Sequence, residues 1–189
     1  HAELRAQLLA KAMGAHRDAY DPLPEFRHGR RLRVGFVNRH FGSQTETYTT
    51  LPTFEQLDPE RFDVQLFALR QSDSPLEQYA REHAQAFNVL PDDFSAQLAM
   101  LREAQLDAIV FGTNVTAVFN EVTRLALYRS APLQVVNNSS CITSGMPHVD
   151  LYVSGELTES SDAASHFSER LGLLPGPAHA FNYEADRQE

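Results

Sequence analysis

Short apolar runs alternate with helical patterns along most of this chain, and that alternation restricts the fold more than any other feature. The runs "RLRVGFVN" (31–38), "RFDVQLFALR" (61–70), "LDAIVFG" (106–112), "APLQVVN" (131–137) and "VDLYVSG" (149–155) have strand length and buried-strand composition. "FNVLP" (87–91) reads as a further, very short strand. Between them, "LPTFEQLD" (51–58), "SPLEQYAREHAQA" (74–86), "DDFSAQLAMLREAQ" (92–105) and "NEVTRLALYR" (120–129) carry amphipathic helical spacing, and "ESSDAASHFSERL" (159–171) predicts a last helix. Parallel strands need crossovers of this length, so the pattern predicts an α/β, Rossmann-like three-layer parallel sheet with helices on both faces.

Outside this core the chain is simpler. Residues 2–20 place Leu4, Leu8, Leu9, Ala12 and Met13 on one stripe, which predicts an N-terminal helix followed by a proline-rich linker to His28. The reading is therefore two parts: 1–28 as helix and linker, and 29–189 as one Rossmann-like lobe. "LGLLPGPAHAF" (171–181) reads as a closing coil.

Ligands of open parallel sheets sit beyond the carboxyl ends of the strands. Three loops belong there: "RHFGSQTETYTT" (39–50), "GTNVTAVFN" (112–120) and "NNSSCITSGMPH" (137–148). All are rich in Ser, Thr, Asn and Gln, donors and acceptors suited to hydroxylated or carbonyl ligands.

Other chemistries fail on residue type. No GxGxxG follows the first strand and no GxxxxGK[ST] occurs. The eight histidines are never paired at helical spacing, so no metal is expected. A formal charge of −9 argues against nucleic acid. No run approaches the ~20 apolar residues of a membrane span. The single cysteine, Cys141, suits a reducing compartment, so a cytoplasmic location is expected.

"APLQVVNNSSCITSGMPHVDLYV" (131–153) carries a resemblance to the O-GlcNAc transferase/SPINDLY-type proteins of glycosyltransferase family 41. Arg129, Ala131, Pro132, Leu133 and Gln134 match one motif, Thr143, Ser144 and Gly145 a second, and Asp150 follows at the family's spacing. "RLRVGFVNRHFGS" (31–43) resembles the family's opening strand and F-G loop, and "HFSERLGLLPGPAHAF" (166–181) its bacterial "YSE-x-L-x-x-LPG" segment. The resemblance runs from Arg31 to Phe181.

It implies the first, acceptor-side lobe of a two-lobed GT-B enzyme, with a further lobe that binds the nucleotide-sugar. The implied reaction is inverting transfer of a hexose or N-acetylhexosamine from a UDP-sugar to protein side chains, with no cofactor and no metal. The N-terminal helix would then be the end of a helical, tetratricopeptide-type region. Partners would be a protein or peptide acceptor and the nucleotide-sugar.

The implied acceptor- or sugar-binding residues are Phe41, Gly42, Ser43, Asn114, Asn138, Thr143, Ser144 and Gly145. Gln44 stands where family enzymes carry a histidine and Arg102 near a second one; the G-[YH]-P portion is Ser139-Ser140-Cys141. Glutamine is no base near neutral pH, so proton transfer at position 44 is lost, although hydrogen bonding is not. An alternative is a catalytically degenerate lobe that binds proteins or peptides. This piece alone is expected to be inactive.

Overall fold

A computed structural model describes residues 1–17, 29–178 and 180–181. Seven strands form one parallel sheet: β1 (Leu32–Asn38), β2 (Phe62–Ala68), β3 (Ala86–Val89), β4 (Ala108–Phe111), β5 (Leu133–Asn137), β6 (Leu151–Gly155) and β7 (Arg170–Leu174), in the order β3-β2-β1-β4-β5-β6-β7. The order reverses between β1 and β4, whose pairing runs from Val34↔Ala108 to Val37↔Phe111.

The pleat sorts side chains between two cores. On one face Phe36, Val64 and Leu66 pack under α2 (Thr45–Phe54) and α3 (Pro75–Glu82), through Leu51, Phe54, Leu76 and Ala80. On the other Val37, Phe67, Ile109, Phe111 and Val136 pack under α1 (Ala2–Met13), α4 (Phe94–Glu103) and α5 (Glu121–Ala126). The Rossmann-like α/β expectation, with helices on both faces, is met.

Three expectations need correction. The predicted helix 2–20 is α-helical only over Ala2–Met13, ends at a left-handed Gly14 and continues as a 3-10 turn over Ala15–Arg17; positions 18–28 lie outside the described residues. Its packed face is Ala6 and Ala10 with Leu9 and Met13, whereas Leu4 and Leu8 are exposed. Second, α2 starts six residues before "LPTFEQLD", inside the predicted loop. Its threonines turn their hydroxyls onto the helix's own carbonyls, Thr49 to Thr45 (2.8 Å) and Thr50 to Glu46 (2.7 Å), so β-branched polar residues are accommodated in a helix.

Third, 159–171 forms only a 3-10 turn over Ala163–His166, and part of the predicted closing coil is strand β7. The connection from β5 to β6 has no helix, as expected of the polar loop read there. α1 covers that part of the sheet instead: the Tyr128 hydroxyl donates to the Met13 carbonyl at 2.6 Å, and an added Cβ at Gly145 would lie 2.7 Å from Glu3 Cα.

The motif that carried the resemblance locks this helix-free crossover. Arg129 makes a bidentate pair with Asp150, and the Asp150 carboxylate also accepts from the Gln134 amide N–H at 2.8 Å. The Gln134 side chain donates to the His148 carbonyl and accepts from Ser130 N–H. Arg102, at the end of α4 by the amino edge of the sheet, donates to the Arg129 carbonyl.

Candidate functional site

The three predicted loops do meet at the carboxyl edge. Arg39 N–H, just past β1, donates to Thr113 Oγ1 past β4 at 2.9 Å. Asn114 N–H donates to Glu46 Oε1 on α2 at 2.7 Å, while Asn114 Nδ2 reaches Cys141 Sγ at 3.4 Å. Cys141 N–H in turn donates to Thr116 Oγ1. Asn114 Oδ1 accepts from the N–H groups of Thr116 and Ala117, which makes Asn114 the organiser of its own loop.

Above the β1/β4 reversal the loops after β1 and β4, with the start of α2, leave an open crevice of about 420 Å³. Its wall includes Arg39, Glu46, Thr113, Phe119, Asn120 and Glu121. Asn120 caps α5 through a reciprocal pair with Thr123, which fixes the rim there. Val118 and Phe119 project with exposures of 69% and 40%. A larger hollow of about 790 Å³ runs along the flank of α1, between Glu3, Gln7 and His16 and residues 145–149. It is not at the strand carboxyl ends, so the fold's own logic favours the smaller crevice.

Most of the sequence-predicted site residues turn out to hold the rim together rather than face the crevice. Phe41 is fully buried and packs edge-on to Phe54 and Phe87. Gly42 is required for space, since an added Cβ would lie 2.6 Å from Ser72 Oγ. Ser43 is exposed beside it. Gln44 precedes α2 as its N-cap, and its Nε2 donates to the His40 carbonyl (2.9 Å) and to Thr47 Oγ1 (3.3 Å). Thr143 and Ser144 close on the buried Glu169 carboxylate, with Thr143 Oγ1 and Ser144 N–H each at 2.6 Å. Gly145 sits at φ +67° against the start of α1. Asn138 donates to the Ala178 carbonyl and lines a different space, an apolar groove of about 520 Å³ over Val110, Val135 and Val153.

Two titratable groups near the rim are displaced from their ordinary values. His40 lies below 6.5 because burial and the Arg39 guanidinium disfavour its cation, against opposing pulls from Glu46 and Glu77. Its Nδ1 accepts from Gly42 N–H at 3.1 Å, so the neutral ring carries its proton on Nε2. Burial alone would raise Glu169; hydrogen bonds from Ser144, Thr143 and backbone N–H outweigh it and hold the carboxyl below 4.5.

Sequence reasoning missed Arg39, Glu46, Thr113 and Asn120. The signal for Glu46 lay in the quoted loop itself, masked because 45–50 read as coil. Among the described residues, no group of three or more His, Cys, Asp or Glu side chains is placed to hold a metal ion, and no helix is long and apolar enough to cross a membrane.

No protein-family model matches the chain. The UDP-N-acetylglucosamine–peptide N-acetylglucosaminyltransferase of Caenorhabditis elegans is 25% identical over 178 residues, which is 92% of this chain and 15% of the worm protein. A solved structure of a Thermobaculum terrenum O-GlcNAc transferase mutant superposes with a TM-score of 0.76 at 20% identity, over 92% of this chain and 34% of that one. Over most of its length the chain is similar to these two transferases. The matches support a relationship to glycosyltransferase family 41, and the seven-stranded sheet shares the fold of the Thermobaculum structure over the aligned part. A mycobacterial quinone oxidoreductase structure also aligns, at 13% identity over 90% of this chain and 45% of that one, but its TM-score of 0.40 carries no argument. This chain thus spans about a third of the bacterial transferase and a much smaller share of the worm protein.

Proposed function

We propose that this chain is the acceptor-side lobe of a nucleotide-sugar-dependent protein glycosyltransferase. The donor is a UDP-hexose or UDP-N-acetylhexosamine and the acceptor a protein side chain. Transfer inverts the anomeric centre without a metal, in a cytoplasmic, bacterial protein. The observation that carries the reading is the open crevice where the strand order reverses, in a lobe whose nearly full length aligns with an O-GlcNAc transferase.

The crevice suits one wall of a transfer site. It offers one cation, carboxylates and amide and hydroxyl groups, a mixture that matches a hydroxylated sugar and a peptide better than an isolated phosphate. A second lobe supplies the opposite wall and the nucleotide contacts. Holding acceptor and anomeric carbon in line lowers the barrier by several kcal/mol, and fixed charges at the departing diphosphate lower it further.

The test is intact-mass analysis of peptide and protein acceptors incubated with the two-lobed protein and a panel of UDP-sugars. One sugar residue added per site, from one donor of the panel, is expected. A folded protein that neither binds nor turns over any donor overturns the reading.

A further inference from the structure

Gln44 cannot take a proton and is occupied as a clamp, so on the proposed reaction a different group must receive the acceptor's proton. The titratable side chains that line the crevice are Arg39, Glu46 and Glu121. The Arg39 guanidinium carries hydrogen-bond donors and no acceptor. Glu121 lies 3.9 Å from Arg70 in an exposed pair at the outer rim. Glu46 is different. It stands in the first turn of α2, half-buried, with Oε1 held at 2.7 Å by Asn114 N–H from the opposite loop. Among the described residues its Oε2 has no hydrogen-bond partner, and the Arg39 guanidinium of the same crevice has no ion-pair partner either.

We propose that Glu46 is the base that takes the proton of a hydroxyl acceptor in this lobe. The inference rests on the glycosyltransferase reading above. In the step, the acceptor O–H gives its proton to Glu46 Oε2 as its oxygen forms a bond to the anomeric carbon. The bond from that carbon to the diphosphate oxygen breaks, and its electron pair leaves with the nucleoside diphosphate. An anchored carboxylate with one free oxygen suits this role, because the backbone donor fixes its direction without consuming the oxygen that must accept.

Glu46→Gln tests this with little disturbance, since the amide oxygen still accepts from Asn114 N–H. In the two-lobed protein, kcat for peptide-hydroxyl transfer falls about 100-fold or more, within the usual range for removal of a general base, while donor affinity changes less than about twofold. Glu46→Ala recovers part of its rate on addition of formate, which a purely structural role for Glu46 would not produce. Transfer by Glu46→Gln at close to the wild-type kcat, or no formate rescue of a folded Glu46→Ala, overturns the inference and leaves the glycosyltransferase reading intact. Absence of transfer by the wild type itself overturns both.

Discussion

At the scale of single residues, Gln44 and Glu46 stand two positions apart and do opposite work. The first bends back to bind its own loop, and the second reaches across to a neighbouring one. Gly42 is explained by contact, and Gly42→Ala is expected to lower stability by about 1–3 kcal/mol, read from urea unfolding, because the new methyl meets Ser72. Glu169 makes a pH prediction. Its carboxyl is harder to protonate folded than unfolded, so its contribution is present above 4.5 and is lost as pH falls through the lower folded value. Unfolding curves at pH 7 and pH 3.5 are expected to differ more for the wild type than for Glu169→Gln. An equal pH response in both would refute the clamp that Thr143 and Ser144 form on this carboxylate.

At the scale of elements, the strands were legible because buried parallel strands are near-continuous apolar runs, as in "VGFV" and "AIVF". The start of α2 was not, because "TETYTT" has poor intrinsic helix propensity and is held by hydroxyl-to-carbonyl bonds that only the folded turn creates. The β5–β6 connection was legible as a loop, but its cover was not, since nothing local in 138–150 says that α1, over a hundred residues upstream, packs over the sheet there. The consequence is that α1 packs in the same core as the sheet. Gly145→Ala, at φ +67° and against the α1 backbone, is expected to cost at least about 2 kcal/mol. Limited proteolysis of that variant should release α1 before any other described helix. Arg129→Met should cost about 2 kcal/mol, because it leaves a partly exposed Asp150 with only its backbone and water partners.

At the scale of the whole molecule, the sequence pointed to the edge of the sheet where the three loops meet, but to few of the side chains that face the crevice there. Motif residues were visible because they recur in fixed spacing. Arg129, Gln134, Thr143, Ser144 and Asp150 prove to be the struts that set the loops. The crevice wall is made by what those struts bring together, Arg39 and Glu46 from one loop and helix with Thr113 and Asn120 from another, and such a combination exists only in three dimensions. The central claim is that a sugar nucleotide and its acceptor meet at this edge. Amide hydrogen exchange of the proposed two-lobed protein, with and without the proposed UDP-sugar and a Ser/Thr peptide, addresses that directly. Slowed exchange in residues 39–46 and 112–122 is the predicted result, and protection absent from both segments while ligand is bound elsewhere would contradict it.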